Sequence, residues 1–513
     1  MKRALGVFGL VALTLLAYWP SLRGPFLWDD GLNVTRNRLV TQPGGLARIW
    51  FSTEPADYYP VTFTVFRAQW LCWGNQPTGY RVVNVLLHIL NALLLWRILR
   101  ELDLRGAWIA ALLFALHPVN VATVAWITEL KNLLAFAFAG LTVLAWLRFD
   151  GMRCSGRDEP PARPTETGGR PGGSPLPWLL YAASLAAFLL ALLSKTAAAP
   201  LPIVLLGITW WRRGRLAWRE AAPFFALALA LGLVTIWFQH HRVLEGIAVR
   251  HEDFPTRLAT AGSAVWFYLW KAIAPVNLSL VYPRAETNYI PAALLVLTLA
   301  WCWLHSRGAF VALAGFVAMM FPMLGFFDQG FFAYALVSDH WQYLALPLVI
   351  ALAAVRWPIG MAAAVVLFFL TFSRASLYAD DAVLWRDTLA ENPRAWAAHF
   401  NLGLALRNRG DLASAEREYR EALRLNPDYA EAHNNLGNLL SKSGRHDEAV
   451  KHFAAVLRLN PGVAAAHNNL GVAFARQGKY EAAAACFREA LRLNPGYSEA
   501  RDNLALATEK LKR

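Results

Sequence analysis

Long apolar runs recur through the first three-quarters of this chain, and they decide what it can become. Stretches such as residues 4–20, 80–99 and 221–238 approach the length that carries a helix across a bilayer, and they hold few charges. In hydrocarbon each backbone polar group must be bonded within a helix or a closed barrel, and these runs lack the alternation of barrel strands. The expected fold class is therefore all-α. A polytopic helical membrane domain of about eleven spans is expected over residues 1–375, ahead of a different helical domain over 376–513. Apolar residues make up 57% of the 513, including 22 Trp and 29 Phe, which sets aside an ordinary soluble domain.

The formal charge of +14 admits nucleic-acid binding. However, Arg and Lys gather in short loops, as in Trp210-Trp211-Arg212-Arg213-Gly214-Arg215, and on the terminal domain. The positive-inside rule and lipid headgroups account for the loops, and no nucleic-acid partner is expected. Cys72, Cys154, Cys302 and Cys486 are too scattered for a disulfide framework or a zinc site. Lys2 and Arg3 precede the first run as in a signal peptide, but no small-x-small site follows, so a retained first span is expected.

Counting spans from an inner N-terminus gives an outer loop at 21–78 and a second outer loop at 239–289. Between them, 150–176 is rich in Pro, Gly, Arg and Ser and is expected to be a disordered cytoplasmic loop. The stretch 261–275 is read as interfacial or re-entrant; were it to span, the later loops and the terminal domain would change sides. On this count Asp29-Asp30, Glu129-Lys131, Ser194-Lys195, Asp339-His340 and the terminal domain all face outward. Two adjacent carboxylates just past a span are costly to keep dry, so Asp29 and Asp30 either start a solvated loop or belong to a site. Glu129 and Lys131 can pair with each other, and Lys195 can snorkel to the interface. Asn84, His88 and Asn91 share one helix face and are read as interhelical glue.

From about Ala379 the composition shifts to Ala, Arg, Glu, Leu and Asn. Asn-Pro recurs at Asn392-Pro393, Asn426-Pro427, Asn460-Pro461 and Asn494-Pro495, always 34 residues on, which is the tetratricopeptide period. Gly403, Gly437 and Gly471 mark close helix contact in the first helix of each unit, and Ala415, Ala449 and Ala483 in the second. Tyr419, Phe453 and Phe487 are expected to fill the space between units. Repeats are expected at 394–427, 428–461 and 462–495, with a capping helix at 496–513. Asn401, Asn435, Asn469 and Asn503 hold one place in successive first helices. A carboxamide there can donate to and accept from an acceptor peptide, or can simply order the repeat. The placement resembles the asparagine ladder of O-linked N-acetylglucosamine transferase.

Several stretches in order, though none alone, carry a wider resemblance. They are Trp28-Asp29-Asp30, Tyr59-Pro60-Val61-Thr62, Asn84 to Leu94, His117-Pro118 with Val124 to Leu134, Ser194-Lys195, Tyr282-Pro283, and Asp339 to Pro347, followed by the repeats. In these the chain resembles the transmembrane and tetratricopeptide-repeat protein O-mannosyltransferases, of the membrane C-type (GT-C) glycosyltransferase superfamily. It departs at Tyr59, Leu130, His340 and Pro200. The resemblance implies an inverting transfer of a sugar from a polyprenyl-phosphate donor to an acceptor hydroxyl outside the cytoplasm, in a bacterial inner membrane. Asp29 or Asp30 would be the base, its neighbour raising its pKa. Lys131, Lys195, His340, Arg284 and Tyr343 would meet the donor phosphate, supported by Glu129, Tyr59, His117 and Asp339. The acceptor would be a Ser or Thr of a protein recruited by the repeats. A divalent metal on Asp29 and Asp30 is the one cofactor the pattern admits. Three alternatives remain: a lipid-linked glycan or surface polymer as acceptor, a non-catalytic scaffold whose repeats bind an assembly partner, and a transporter, for which paired broken helices are missing.

Overall fold

In the computed structural model, which describes residues 2–158, 176–244, 249–284, 286–353 and 357–513, the helices fall into two units, Met1–Asp380 and Asp381–Arg513. No strand occurs among the described residues. Unit one opens with α1 (Lys2–Tyr18), then the short helices α2 (Arg38–Thr41) and α3 (Gly45–Phe51), and α4 (Pro60–Trp73). There follow α5 (Pro77–Glu101), α6 (Ala107–Ala115), α7 (Val121–Ala125), α8 (Leu130–Asp158), α9 (Leu176–Ser194), α10 (Leu201–Arg213) and α11 (Trp218–Phe238). The unit closes with α12 (Phe254–Ile273), α13 (Ile290–His305), α14 (Arg307–Met320), α15 (Leu346–Ala353) and α16 (Trp357–Leu377).

Six helices among the described residues are long and apolar enough to cross a membrane, or seven if the bent pair Ala107–Ala115 and Pro118–Ala125 counts as one span. The expectation of about eleven is not confirmed, and helix length is the reason. α10 has 13 residues, or about 20 Å, short of a hydrocarbon core of about 30 Å. α13 and the Arg307–Met323 segment are also shorter apolar helices. α12 has 20 residues but does not reach the apolar level of a span. Of the expected disordered loop at 150–176, residues 150–158 are the last turns of α8, and residues 159–175 lie outside the described residues.

The break between α6 and α7 shows how this interior is held. Pro118 has no N–H to give, so carbonyls near the break lose their helical donors. Side chains replace them: Asn120 Nδ2 donates to Phe114 O (2.7 Å), and Thr371 Oγ1 to Leu116 O (2.7 Å). His88 Nε2 lies 3.0 Å from Ala115 O. A second break, after α7, is served the same way by Arg81 Nε to Ala125 O (3.0 Å) and Asn84 Nδ2 to Trp126 O (3.2 Å). Asn91 Nδ2 bonds Leu133 O at 3.0 Å. The polar stripe of α5 is thus the glue its spacing implies, and it fixes the turn carrying Glu129.

At the other end of α8, Asp150 meets Arg213 (2.5 Å) and Arg215 (3.4 Å), while Glu101 meets Arg97 (2.6 Å) and Arg148 (3.5 Å). At 1.5 Å per residue these arginines lie about 30 Å from Glu129 along the helix, a membrane's thickness away.

Unit two is a helical solenoid. α17 (Asp381–Glu391) precedes three hairpins: α18 (Trp396–Asn408) with α19 (Leu412–Leu425), α20 (Ala430–Lys442) with α21 (His446–Leu459), and α22 (Ala464–Arg476) with α23 (Tyr480–Leu493). α24 (Ser498–Lys512) covers the last pair. Gly403, Gly437 and Gly471 each face a ring of the same hairpin: a Cβ would stand 2.7, 2.8 and 2.6 Å from Tyr419, Phe453 and Phe487. The rings therefore fill the gap within each hairpin, where the sequence pattern suggested the gap between units.

A histidine ladder runs beside them. His399, His433 and His467 each place Nε2 about one hydrogen bond from a proline carbonyl, Pro393 (3.1 Å), Pro427 (2.9 Å) and Pro461 (3.0 Å). The other nitrogen of His399 meets Glu418 (2.7 Å), but that of His433 meets His452 Nδ1 (2.9 Å). Only one of those two nitrogens can carry a proton. Burial first, then His433 and Arg420, push His452 down to about 4, against the pull of Glu448. Its folded pKa lies below the unfolded value, so stability is present above about pH 6.5 and is lost as pH falls towards 4. Hydrogen exchange in α20 and α21 is expected to speed up between pH 7 and 5, after correction for intrinsic rates. His452→Glu, copying Glu418, is expected to remove the effect; equal acceleration in both proteins would exclude the pair as its cause.

Candidate active site

The two aspartates part company. Asp30 is buried and spends both oxygens on the backbone: Oδ2 accepts from Leu27 N (2.7 Å), and Oδ1 accepts from Thr128 N (2.9 Å) and Thr128 Oγ1 (2.5 Å). It pins the first loop to the turn that starts α8. Arg81 reinforces the same corner, donating to Gly24 O and Pro25 O as well as to Ala125 O. Asp29 accepts from Asn33 Nδ2, at 3.0 Å on Oδ2. Its Oδ1 is shielded from water and has no hydrogen-bond partner among the described residues. Burial pushes this carboxyl up to about 7; Asp30 and Glu129 add to the rise, while the Lys131 ammonium and the nearby Thr128 hydroxyl oppose it.

Lys131 and Glu129, whose charges act on Asp29, belong to a cluster centred on Glu129, whose side chain is 1% exposed. Lys131 Nζ lies 3.1 Å from Oε1, Lys195 Nζ 3.7 Å from Oε2, and His340 Nε2 3.8 Å from Oε1. Asn132 Nδ2 donates to Glu129 Oε2 (2.5 Å) and to His340 O (3.1 Å). Four distant parts of the chain meet here because other contacts bind their loops. Thr62 Oγ1, from the Tyr-Pro-Val-Thr stretch, donates to Ser194 O at 2.9 Å and so seats Lys195. Burial pulls Lys195 down to about 8, with Glu129 opposing and Lys131 assisting. Burial likewise pulls His340 down to about 3, with Lys195 and Lys131 assisting and Glu129 opposing, which favours the neutral imidazole.

Sequence reasoning passed over Asp57. Gln239 Nε2 donates to its Oδ1. Burial raises its pKa, and Lys131 and Lys195 both draw it back, which puts it in the same electrostatic neighbourhood. Nothing in its local sequence distinguishes it from a loop aspartate. Tyr59 is near as well: burial raises its pKa first, then Asp57, with the Thr196 hydrogen bond opposing.

Other expected residues lie elsewhere. Tyr343 is buried in the bundle, its hydroxyl shared by His88 Nδ1 (2.8 Å) and Asn91 Nδ2 (3.1 Å), so it is not beside the cations. Arg284 is exposed and donates to Phe332 O at 3.1 Å. His117 Nε2 meets Ala272 O (3.0 Å) and ties the α6–α7 break to the end of α12. Asp339 accepts from the Tyr282 hydroxyl at 2.8 Å, which holds the turn that bears His340. The asparagine ladder is partly spent on the repeats. Asn401 and Asn435 donate to their own helices, at Ala397 O and Glu431 O, and Asn469 and Asn503 donate to Asn434 and Asn468. A divalent metal does not suit the aspartate pair, because Asp30's oxygens already face N–H and O–H donors. Among the described residues no group of three His, Cys, Asp or Glu is placed to hold one.

Comparison with known proteins gives matches over part of the chain. The tetratricopeptide repeat family matches residues 379–430, 404–463 and 434–498. Protein O-mannosyl-transferase F38B6.6 of Caenorhabditis elegans is 26% identical over 160 residues, 28% of this chain and 23% of its own length. Protein O-mannosyl-transferase TMTC1 of Mus musculus is 31% identical over 163 residues, 29% of this chain and 17% of its own. TMTC4 of Homo sapiens is 30% identical over 168 residues, 28% and 22%. The matched stretches thus span less than a quarter of each of these relatives. Among solved structures, a crystal structure of MamA covers 25% of this chain and 75% of its own at 21% identity and a TM-score of 0.25. With several relatives bearing one name, and repeats in the terminal unit, this chain is a distant relative of the transmembrane and tetratricopeptide-repeat protein O-mannosyltransferases.

Proposed function

We propose that this is an inverting GT-C-type glycosyltransferase that moves a sugar from a polyprenyl-phosphate donor to a hydroxyl of a protein acceptor. The observation that carries it is Asp29: a carboxylate with one water-shielded oxygen that no described donor meets, its pKa near neutrality, in the field of Lys131, which shares Glu129 with Lys195. Asp29 takes the proton of the acceptor hydroxyl as its oxygen bonds to the anomeric carbon. The bond from that carbon to the phosphate oxygen breaks, and the electron pair leaves with polyprenyl phosphate. Lys131 and Lys195 meet the charge that grows on that phosphate, which is the larger part of the work. Displacement from the opposite face inverts the anomeric centre. No metal enters this scheme.

Two further features support the reading. A cavity of about 190 Å³ lies among α5, α8, α10, α14 and α15, lined by apolar side chains including Leu95, Phe136, Val204, Leu344 and Leu348. It adjoins Tyr343 through Leu344 and suits a polyprenyl chain. The arginines at the far end of α8 support a site on the outer face of the membrane, since positive loops stay inside. The repeats would recruit the acceptor protein. The test is transfer of labelled mannose from undecaprenyl-phosphate-mannose to protein in membranes holding the full chain. Label is expected in protein, and it is expected to fall at least tenfold on deleting residues 381–513. Label in lipid-linked glycan alone would reverse the choice of acceptor.

A further inference from the structure

Beside the charged cluster stands a set of rings that the transfer chemistry itself does not use. Trp28 and Trp126 stack nearly parallel, 5.5 Å apart at 6°. Tyr334 meets Trp28 edge-on at 5.1 Å, and Phe331 tilts against it at 5.6 Å. Phe331 and Trp126 both turn an edge contact to His340, at 5.4 and 5.5 Å. The rings are therefore continuous with the Glu129 cluster through His340, and Trp28 directly precedes Asp29.

Three details set this group apart from ordinary core packing. Trp28 sits at φ +39, a left-handed conformation that residues bearing a Cβ rarely adopt and that persists only where the surroundings impose it. Trp28, Phe331 and Tyr334 are only half-buried, whereas Trp126 and His340 beneath them are buried. Among the described residues Trp126 Nε1 is a buried donor with no acceptor, a condition that is unfavourable until something supplies one. Open aromatic surface beside a wanting hydrogen-bond donor matches a ligand with an apolar face and hydroxyl edges. A hexose has both: its axial C–H groups form the face and its hydroxyls the edge.

We infer that Trp28, Phe331 and Tyr334 seat the sugar ring of the donor, with Trp126 Nε1–H available to one of its oxygens. This rests on the proposed function, and it assigns the aromatic wall to the sugar where the lysines take the phosphate.

The test compares two lipids on the purified full chain in nanodiscs: undecaprenyl-phosphate-mannose, and undecaprenyl phosphate without sugar. Trp28→Leu is expected to weaken binding of the first about tenfold and to leave the second unchanged. Trp28→Phe, which keeps an aromatic face, is expected to recover most of that loss. Should Trp28→Leu fail to fold, Phe331→Leu on the open rim takes its place with the same expected split. If the variant that folds weakens both lipids equally, or neither, the rings are not the sugar seat. If the unaltered protein binds neither lipid, the donor assignment itself falls and this inference with it.

Discussion

Asp29→Asn is expected to lower kcat/KM for sugar transfer by about 10²–10⁴-fold while the protein stays folded. The loss follows from taking away a water-shielded carboxylate oxygen that no described donor occupies. Stability moves the other way. Burial holds the folded pKa of Asp29 near 7, above the usual carboxylate value of 3.8, so the ionised form weakens the fold as pH rises through that interval. A neutral amide at 29 is therefore expected to hold or raise the unfolding temperature at pH 7.5. Asp30→Asn is expected to do the opposite, costing folded protein first, because Leu27 N and both Thr128 donors lose a charged acceptor. The unaltered enzyme should show a narrow bell of kcat/KM against pH. Activity rises as Asp29 loses its proton near 7 and falls as Lys195 loses its own near 8. Asp29→Asn retaining the acid limb and near-full activity would remove this residue from the reaction.

Glu129→Gln is expected to be the most damaging single change to unit one. It leaves Lys131 and Lys195, 20% and 7% exposed, without their shared counter-charge. Breaking a buried ion pair from one side costs about 3–5 kcal/mol, because the remaining charge stays buried. Thermal unfolding in nanodiscs should show a large fall, together with lost transfer. Adding Lys131→Met should return much of the stability and little of the activity, since the phosphate then meets Lys195 alone where it met two lysines. A single variant as stable as the parent would mean the lysines have other partners.

How far the sequence reached differs from residue to residue. The 34-residue period named the repeats outright, because register is repeated at many positions. The α5 stripe at 84, 88 and 91 was legible as glue, because helical geometry alone puts those residues on one face. Apolar composition revealed the membrane domain but does not fix its span count: it does not register that Gly214, at φ +69, ends α10 after 13 residues. The aspartate pair could not be split from sequence, since which one meets Thr128 depends on a contact across 98 positions. Tyr343 looked close to His340 at three residues' remove, yet the turn at Asp339–Gln342 sends it towards His88. Asp57 and the Trp28–Trp126 stack carried no local signal, because their significance comes from neighbours distant in the chain.

One consequence of the close pairing of Glu129 with Lys131 concerns biosynthesis. Membrane proteins enter the bilayer as they are made, and Lys195 and His340 emerge from the ribosome well after Glu129. During that interval Lys131, two residues along, is the companion that can travel with the acid through the insertion machinery. The later lysine then joins an already neutral passenger. A nascent chain stalled before residue 190 should therefore integrate α8 normally with Lys131 present, even though the finished centre does not yet exist.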